Sequence, residues 1–205
     1  MRAHALILAA GQGRRFGGGK LHAPYRERPL LSYVLDVAEA ALERDLIDGG
    51  HVIVGGDDDR ARDLIHCSGL NAIINDRPEL GLSSSLRLGL AALEARAGHE
   101  RDAAVIFLGD QPLVRLEVVE TLIARWREGG AAVIRPRYQS RPQVPGHPVL
   151  LTRSVWPAVR QLQGDEGFGA LLDSAPFETV TLSVPGDNPD IDTRADLLGL
   201  EESSR

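Results

Sequence analysis
The chain has 205 residues, 43% of them hydrophobic and 25% charged, with a formal net charge of −6. That length suits one large α/β domain with a sizeable core, and the balance excludes disordered, collagen-like and coiled-coil classes. The acidic charge argues against nucleic acid or an anionic membrane as partner, and a single cysteine, Cys67, excludes an intrachain disulfide or a multi-cysteine zinc site.

The first apolar run, residues 5–9, enters a glycine loop too soon for a secretory signal, and no run approaches the roughly 20 residues of a membrane span. A cytoplasmic chain is expected. Further strand-length runs follow at 51–54, 72–74, 103–108, 131–134 and 179–183, with helical periodicity at 30–44, 58–66, 84–95, 116–127 and 166–173. This alternation predicts an α/β fold whose mostly parallel sheet is covered by helices on both faces. One domain over residues 1–200 is expected, with a polar, frayed tail over 201–205. Ligands of such folds gather beyond the carboxyl ends of the strands, so the loops there carry the function.

The loop after the first run reads Ala9-Ala10-Gly11-Gln12-Gly13-Arg14-Arg15-Phe16-Gly17-Gly18-Gly19-Lys20. Glycines let backbone N–H groups turn onto an anion, and the basic side chains add full charge. It is not a Walker A loop, because Arg14 stands where the leading glycine belongs and Leu21 follows the lysine. Nor is it a clean dinucleotide fingerprint, since Phe16 holds the third glycine position and no acid ends a second strand about 20 residues on. Lys20 is the only lysine in the chain; every other cationic side chain is arginine. A compact ammonium fits a crowded phosphate site that an arginine fork would not. Residues 1–30 carry six basic groups against Glu27 alone, and Arg135, Arg137, Arg141, Arg153 and Arg160 form a second island without acids. Both suggest local anion sites.

Acids stand at two other strand ends. The run 103–108 leads into Gly109-Asp110-Gln111-Pro112, where Asp110 could hold a divalent metal bridging phosphates or cap the helix that follows. After the last strand, Asp190 and Asp192 share one face of extended chain. One could join Asp110 on a metal while the other caps a helix starting near Arg194. Asp57-Asp58-Asp59 reads as a solvated helix start.

These blocks resemble, in order and over nearly the whole chain, the nucleotidyltransferases that act on molybdopterin. The likeness runs from Leu8-Ala9-Ala10-Gly11, Arg15-Phe16-Gly17 and Lys20 through Pro29-Leu30-Leu31 to Gly81-Leu82-Ser83-Ser84-Ser85-Leu86. It continues at Gly109-Asp110-Gln111-Pro112, Gly146-His147-Pro148 and Asp190-Ile191-Asp192-Thr193. Ala9-Ala10-Gly11 is similar to the cytidylyltransferase branch, the guanylyltransferases more often having Ala-Gly-Gly.

The resemblance implies a three-layer α/β/α, Rossmann-like nucleotidyltransferase fold with a mostly parallel mixed sheet. It implies transfer of CMP from CTP, or of another nucleotide from its NTP, to the phosphate of molybdopterin with magnesium, releasing pyrophosphate. By matching positions, Ala9, Ala10, Gly11, Gln12 and Gly13 hold the nucleotide, Arg15 and Lys20 clamp the triphosphate, and Ser85 holds the base or ribose. Asp110 and Asp192 bind Mg2+, Arg15, Lys20 and Asp110 form the catalytic set, and Gly146 and His147 face a phosphorylated pterin-type acceptor. A molybdoenzyme or its chaperone receives the product. One block departs: Gly164-Asp165-Glu166-Gly167-Phe168-Gly169 lacks the family's following Ala-Arg, which leaves a different phosphorylated acceptor open. Two other readings remain at this point. One is an NAD(P)-dependent oxidoreductase using Gly11, Gly13 and Gly17, with Arg14 or Arg15 on a 2′-phosphate. The other is a non-catalytic nucleotide-binding protein.

Overall fold
A computed structural model describes residues 1–56, 58–95, 99–166 and 177–203. In chain order the elements are β1 (Ala3–Ala9), the short strands β2 (Pro24–Tyr25) and β3 (Arg28–Pro29), and α1 (Leu30–Glu43). Next come β4 (Gly50–Gly55), α2 (Asp59–His66), β5 (Asn71–Asn75), α3 (Leu82–Glu94) and β6 (Ala103–Leu108). The rest are α4 (Leu116–Glu128), β7 (Val133–Tyr138), β8 (Val149–Thr152), α5 (Trp156–Val159), β9 (Thr179–Val184) and α6 (Arg194–Glu202).

β1 is buried along its whole length because both of its faces meet apolar layers. Its period of two sends Ala3, Ala5, Ile7 and Ala9 into one core and Leu6 and Leu8 into the other. The first core is closed by Leu31, Val34 and Leu35 of α1 and Val119, Leu122 and Ile123 of α4. The second is closed by Leu86, Leu90 and Leu93 of α3 and Trp156 of α5. Each such leucine contributes roughly 1.5–3 kcal/mol by leaving water. Helices on both faces of one sheet make the expected three-layer α/β architecture.

The seven-stranded sheet has the order β5-β4-β1-β6-β8-β7-β9. Four of its pairings are parallel, and β8 alone runs antiparallel, to both β6 and β7. The apolar pattern missed β8, a four-residue strand behind Pro148 whose identity is decided by the gap it fills between β6 and β7. β7 begins later and ends later than the predicted 131–134, because Arg135 and Arg137 alternate with buried neighbours and still pair with β9. α6 extends to Glu202, into the stretch expected to fray. The predicted helix at 166–173 falls, apart from Glu166, outside the described residues. No helix among the described residues is long and apolar enough to cross a membrane.

β2 and β3 form a two-residue hairpin with Tyr25 opposite Arg28. Its turn residues, Arg26 (φ 45°) and Glu27 (φ 68°), are both left-handed, a conformation that tight hairpins normally give to Asn and Gly. A side chain held there costs roughly 1–2 kcal/mol. Glu27→Gly should therefore stabilise the fold by about 0.5–1 kcal/mol after the glycine's extra chain entropy is set against it. Urea unfolding of the variant checks this; an unchanged or lower midpoint would show that the turn stores no strain.

Candidate active site
β1 delivers the glycine loop to the carboxyl edge of the sheet, and the loop folds back on itself there. Its one-turn 3-10 helix, Arg14–Phe16, is closed by hydrogen bonds from the Phe16 and Gly18 amides to the Gly13 carbonyl. Gly13 is left-handed at φ 58°, and a Cβ at this position would lie 3.1 Å from the Cβ of Lys20. Glycine is what lets the two ends of the loop close. Phe16 anchors the loop in a small core with Leu30, Ile191 and Leu197, and Arg194 lies over its ring at 5.0 Å. The amides of Gly11, Gln12 and Gly13 reach no acceptor among the described residues and remain available to an anion.

The opposite wall is acidic. Asp110 follows β6, and the segment after β9 is laid across it by a hydrogen bond from the Ile191 amide to the Asp110 carbonyl at 3.1 Å. Lys20 reaches between the two segments, donating from Nζ to Asp110 Oδ2 at 2.6 Å and to Asp192 Oδ1 at 3.5 Å. Its side chain is only 10% exposed. Arg15 meets the other oxygen of Asp192 at 3.0 Å from the solvent side. Neither Asp110 nor Asp192 caps a helix: α4 starts at Leu116, and α6 is capped by Thr193 in a reciprocal box with Asp196. Asp190 is a third carboxylate in the same cleft, its pKa raised by burial and by the charge of Asp110. Gln111 holds it by donating from Nε2 at 2.8 Å.

The cleft between these walls has a volume of about 470 Å³, within the range of small-molecule sites. Every residue nominated for the nucleotide and the metal lines it: Ala9, Ala10, Gly11, Gln12, Gly13, Arg15, Lys20, Ser85, Asp110 and Asp192. Ser85 enters from the first turn of α3. Gly81 caps that helix, and a Cβ there would sit 2.4 Å from the backbone of Gly164, so the 164–165 segment packs directly on its start. Asp165 Oδ1 accepts from the Leu82 amide at 3.3 Å and also lines the cleft. Phe168 and Gly169, where the sequence departs from the family pattern, lie outside the described residues.

Gly146 and His147 do not line this cleft. They lie on the far side of a polar chain in which Asn188 Nδ2 donates to Gln111 Oε1 at 3.1 Å and to the His147 carbonyl at 3.3 Å. Tyr138 Oη donates to the same carbonyl at 2.7 Å. Sequence reasoning missed Gln111, Asn188 and Asn75, whose short polar side chains have no local signature. It also missed the pair His22–Asp58 at 2.7 Å, in which Asp58 additionally caps α2. Asp57 lies outside the described residues.

Burial, together with the nearby Arg135 charge, lowers the pKa of His147 to about 4. Between that value and the ordinary one of about 6.5, the unfolded chain takes up a proton that the folded chain refuses, so stability falls as pH drops. Moving from about pH 7 to about pH 5 should cost the wild type about 2 kcal/mol through this group, and His147→Gln should remove that loss. Chemical denaturation at the two pH values checks it; equal pH dependence in wild type and variant would sink the assignment.

A wall of cations and available amides facing carboxylates is suited to a polyphosphate and its accompanying cation, which at the carboxyl edge of this mixed sheet is a nucleotidyltransferase arrangement. A family model described as a MobA-like NTP transferase domain matches residues 5–193, and the chain belongs to that family. The oxidoreductase reading lapses with it. Similar solved structures include Rv0371c from Mycobacterium tuberculosis H37Rv, at 29% identity and TM-score 0.81, covering 98% of this chain and 99% of that one. Rv0371c is also known in complex with manganese. Among curated relatives, the bifunctional protein GlmU of Pseudomonas aeruginosa (strain LESB58) is 31% identical over 127 residues, 61% of this chain and 26% of its own length. A probable molybdenum cofactor guanylyltransferase of Thermococcus gammatolerans is 28% identical over 137 residues, 65% of this chain and 62% of that protein. The chain thus spans about a quarter of the GlmU relatives it matches.

Proposed function
We propose that the protein transfers CMP from CTP to the phosphate of a molybdopterin-type acceptor and releases pyrophosphate. The observation that carries this reading is Lys20, whose ammonium joins the glycine loop to Asp110 and Asp192 in one cleft. The curated relative named for molybdenum cofactor chemistry supports the acceptor class. The Ala9-Ala10-Gly11 sequence supports cytidine.

An oxygen of the acceptor phosphate attacks the α-phosphorus of CTP, the bond to the bridging oxygen of the β-phosphate breaks, and its electrons leave with pyrophosphate. No protein nucleophile is needed, because the acceptor is already an anion. The amides of Gly11, Gln12 and Gly13 and the charges of Arg15 and Lys20 oppose the negative charge that builds on the leaving group. Asp110 and Asp192 would hold a divalent cation. Their oxygens suit a hard ion, they already converge on one cation, and two carboxylates suffice where substrate phosphates complete the shell. When bound, magnesium supplies charge neutralisation at the phosphates.

The test is the melting temperature with CTP, GTP, ATP, UTP or NADPH, each with and without magnesium, followed by pyrophosphate release with a phosphorylated pterin. A ligand that binds only the folded chain raises the melting temperature by mass action. A magnesium-dependent shift selective for CTP supports the reading. A shift with GTP alone, or with NADPH and no triphosphate, overturns it.

A further inference from the structure
At the carboxyl end of β5, buried beneath the first turn of α3, Asn75 makes three hydrogen bonds whose directions can all be read. The Arg77 amide, which can only donate, gives its proton to Asn75 Oδ1 at 3.0 Å. That fixes the orientation of the Asn75 side chain, since the oxygen must face Arg77 and the amino group must face away. The amino group then donates to Ser84 Oγ at 2.9 Å and to Ser85 Oγ at 3.0 Å. Each serine oxygen is thereby an acceptor toward Asn75, and each hydroxyl proton must point elsewhere.

The two serines use that proton differently. Ser84 donates to the Gly81 carbonyl at 2.8 Å. The Ser85 hydroxyl has no acceptor among the described residues, and Ser85, unlike Ser84, lines the cleft. The geometry points to Asn75 as a specificity-determining positioning residue that makes Ser85 an obligatory hydrogen-bond donor toward the nucleotide base, selecting for a ring carbonyl or unprotonated ring nitrogen at that position, as cytosine offers. This rests on the reading of the cleft as the CTP site. A donor fixed by a buried partner discriminates better than a freely rotating hydroxyl, because a base presenting an N–H there faces another proton and leaves both groups unpaired.

The experiment measures CTP affinity by calorimetry with magnesium in four variants, with tripolyphosphate, which has no base, as a parallel ligand. Asn75→Asp is nearly isosteric and still accepts from the Arg77 amide, but it accepts from the serines as well and turns the Ser85 lone pairs to the cleft. It should weaken CTP about tenfold and leave tripolyphosphate within about twofold. Ser85→Ala should lose the same factor, the double variant should lose no more than either single one, and Ser84→Ala should stay within about twofold of wild type. If Asn75→Asp does not fold, the contrast between Ser85→Ala and Ser84→Ala decides the matter. Equal effects on CTP and tripolyphosphate, additive losses, or full CTP affinity in Ser85→Ala each overturn the assignment. A wild-type chain that binds no CTP instead overturns the reading of the site, an outcome seen before any variant is made.

Discussion

Lys20→Arg should reduce nucleotide transfer by about a hundredfold although it keeps the charge, and Lys20→Met by about a thousandfold. The ammonium lies 2.6 Å from Asp110 in a side chain that is nearly enclosed. A Cβ built on Gly13 would lie 3.1 Å from the Cβ of Lys20, so the loop packs against the stem of this side chain. A guanidinium is wider and planar, so it would have to displace either the loop or the carboxylates. Lys20→Met should also lower stability, by about 3 kcal/mol, because it leaves Asp110 and Asp192 without the cation they share. A divalent cation bound to the same carboxylates should restore part of that loss. Pyrophosphate release and melting temperature with and without magnesium test both halves. A Lys20→Arg enzyme at the wild-type rate, or a Lys20→Met melting temperature indifferent to magnesium, would remove the central place given to this residue.

Asp110→Asn should cost about a thousandfold in turnover and abolish the magnesium dependence of CTP binding. Asparagine preserves the shape of the turn, since the backbone carbonyl of residue 110 holds the Ile191 amide whatever side chain is present. The loss would therefore report the carboxylate charge and not a displaced loop. Asp192→Asn should act in the same direction but less strongly, because that side chain is 34% exposed and also carries Arg15. Turnover of Asp110→Asn intact at saturating magnesium would show the metal assignment to be wrong.

Much of the fold was legible in the sequence because buried parallel strands must be apolar on both faces. The runs at 5–9, 51–54 and 103–108 correspond to β1, β4 and β6, which stand side by side at the centre of the sheet. β8 was not legible. Four residues carry too little pattern, and only the space left between β6 and β7 makes them a strand. The long helices were recognisable from their apolar stripes. The cap of α6 was assigned to the wrong residue type, since Asp190 and Asp192 look as suitable as Thr193 until the backbone shows which of them faces the open amides.

For the site, the sequence alone determined the glycine loop, the lone Lys20 within it and Asp110 at a strand end. Those signals are local, set by which backbone angles and charges a short segment can present. Tertiary structure decided which distant segments meet. It brought Asp192 onto the lysine beside Asp110 and seated Asn75 beneath Ser84 and Ser85. It also kept Gly146 and His147 out of the cleft that holds the other nominated residues. Such pairings depend on strand order and on which loops the sheet edge gathers, and strand order is a property of the whole core that no short stretch of sequence encodes.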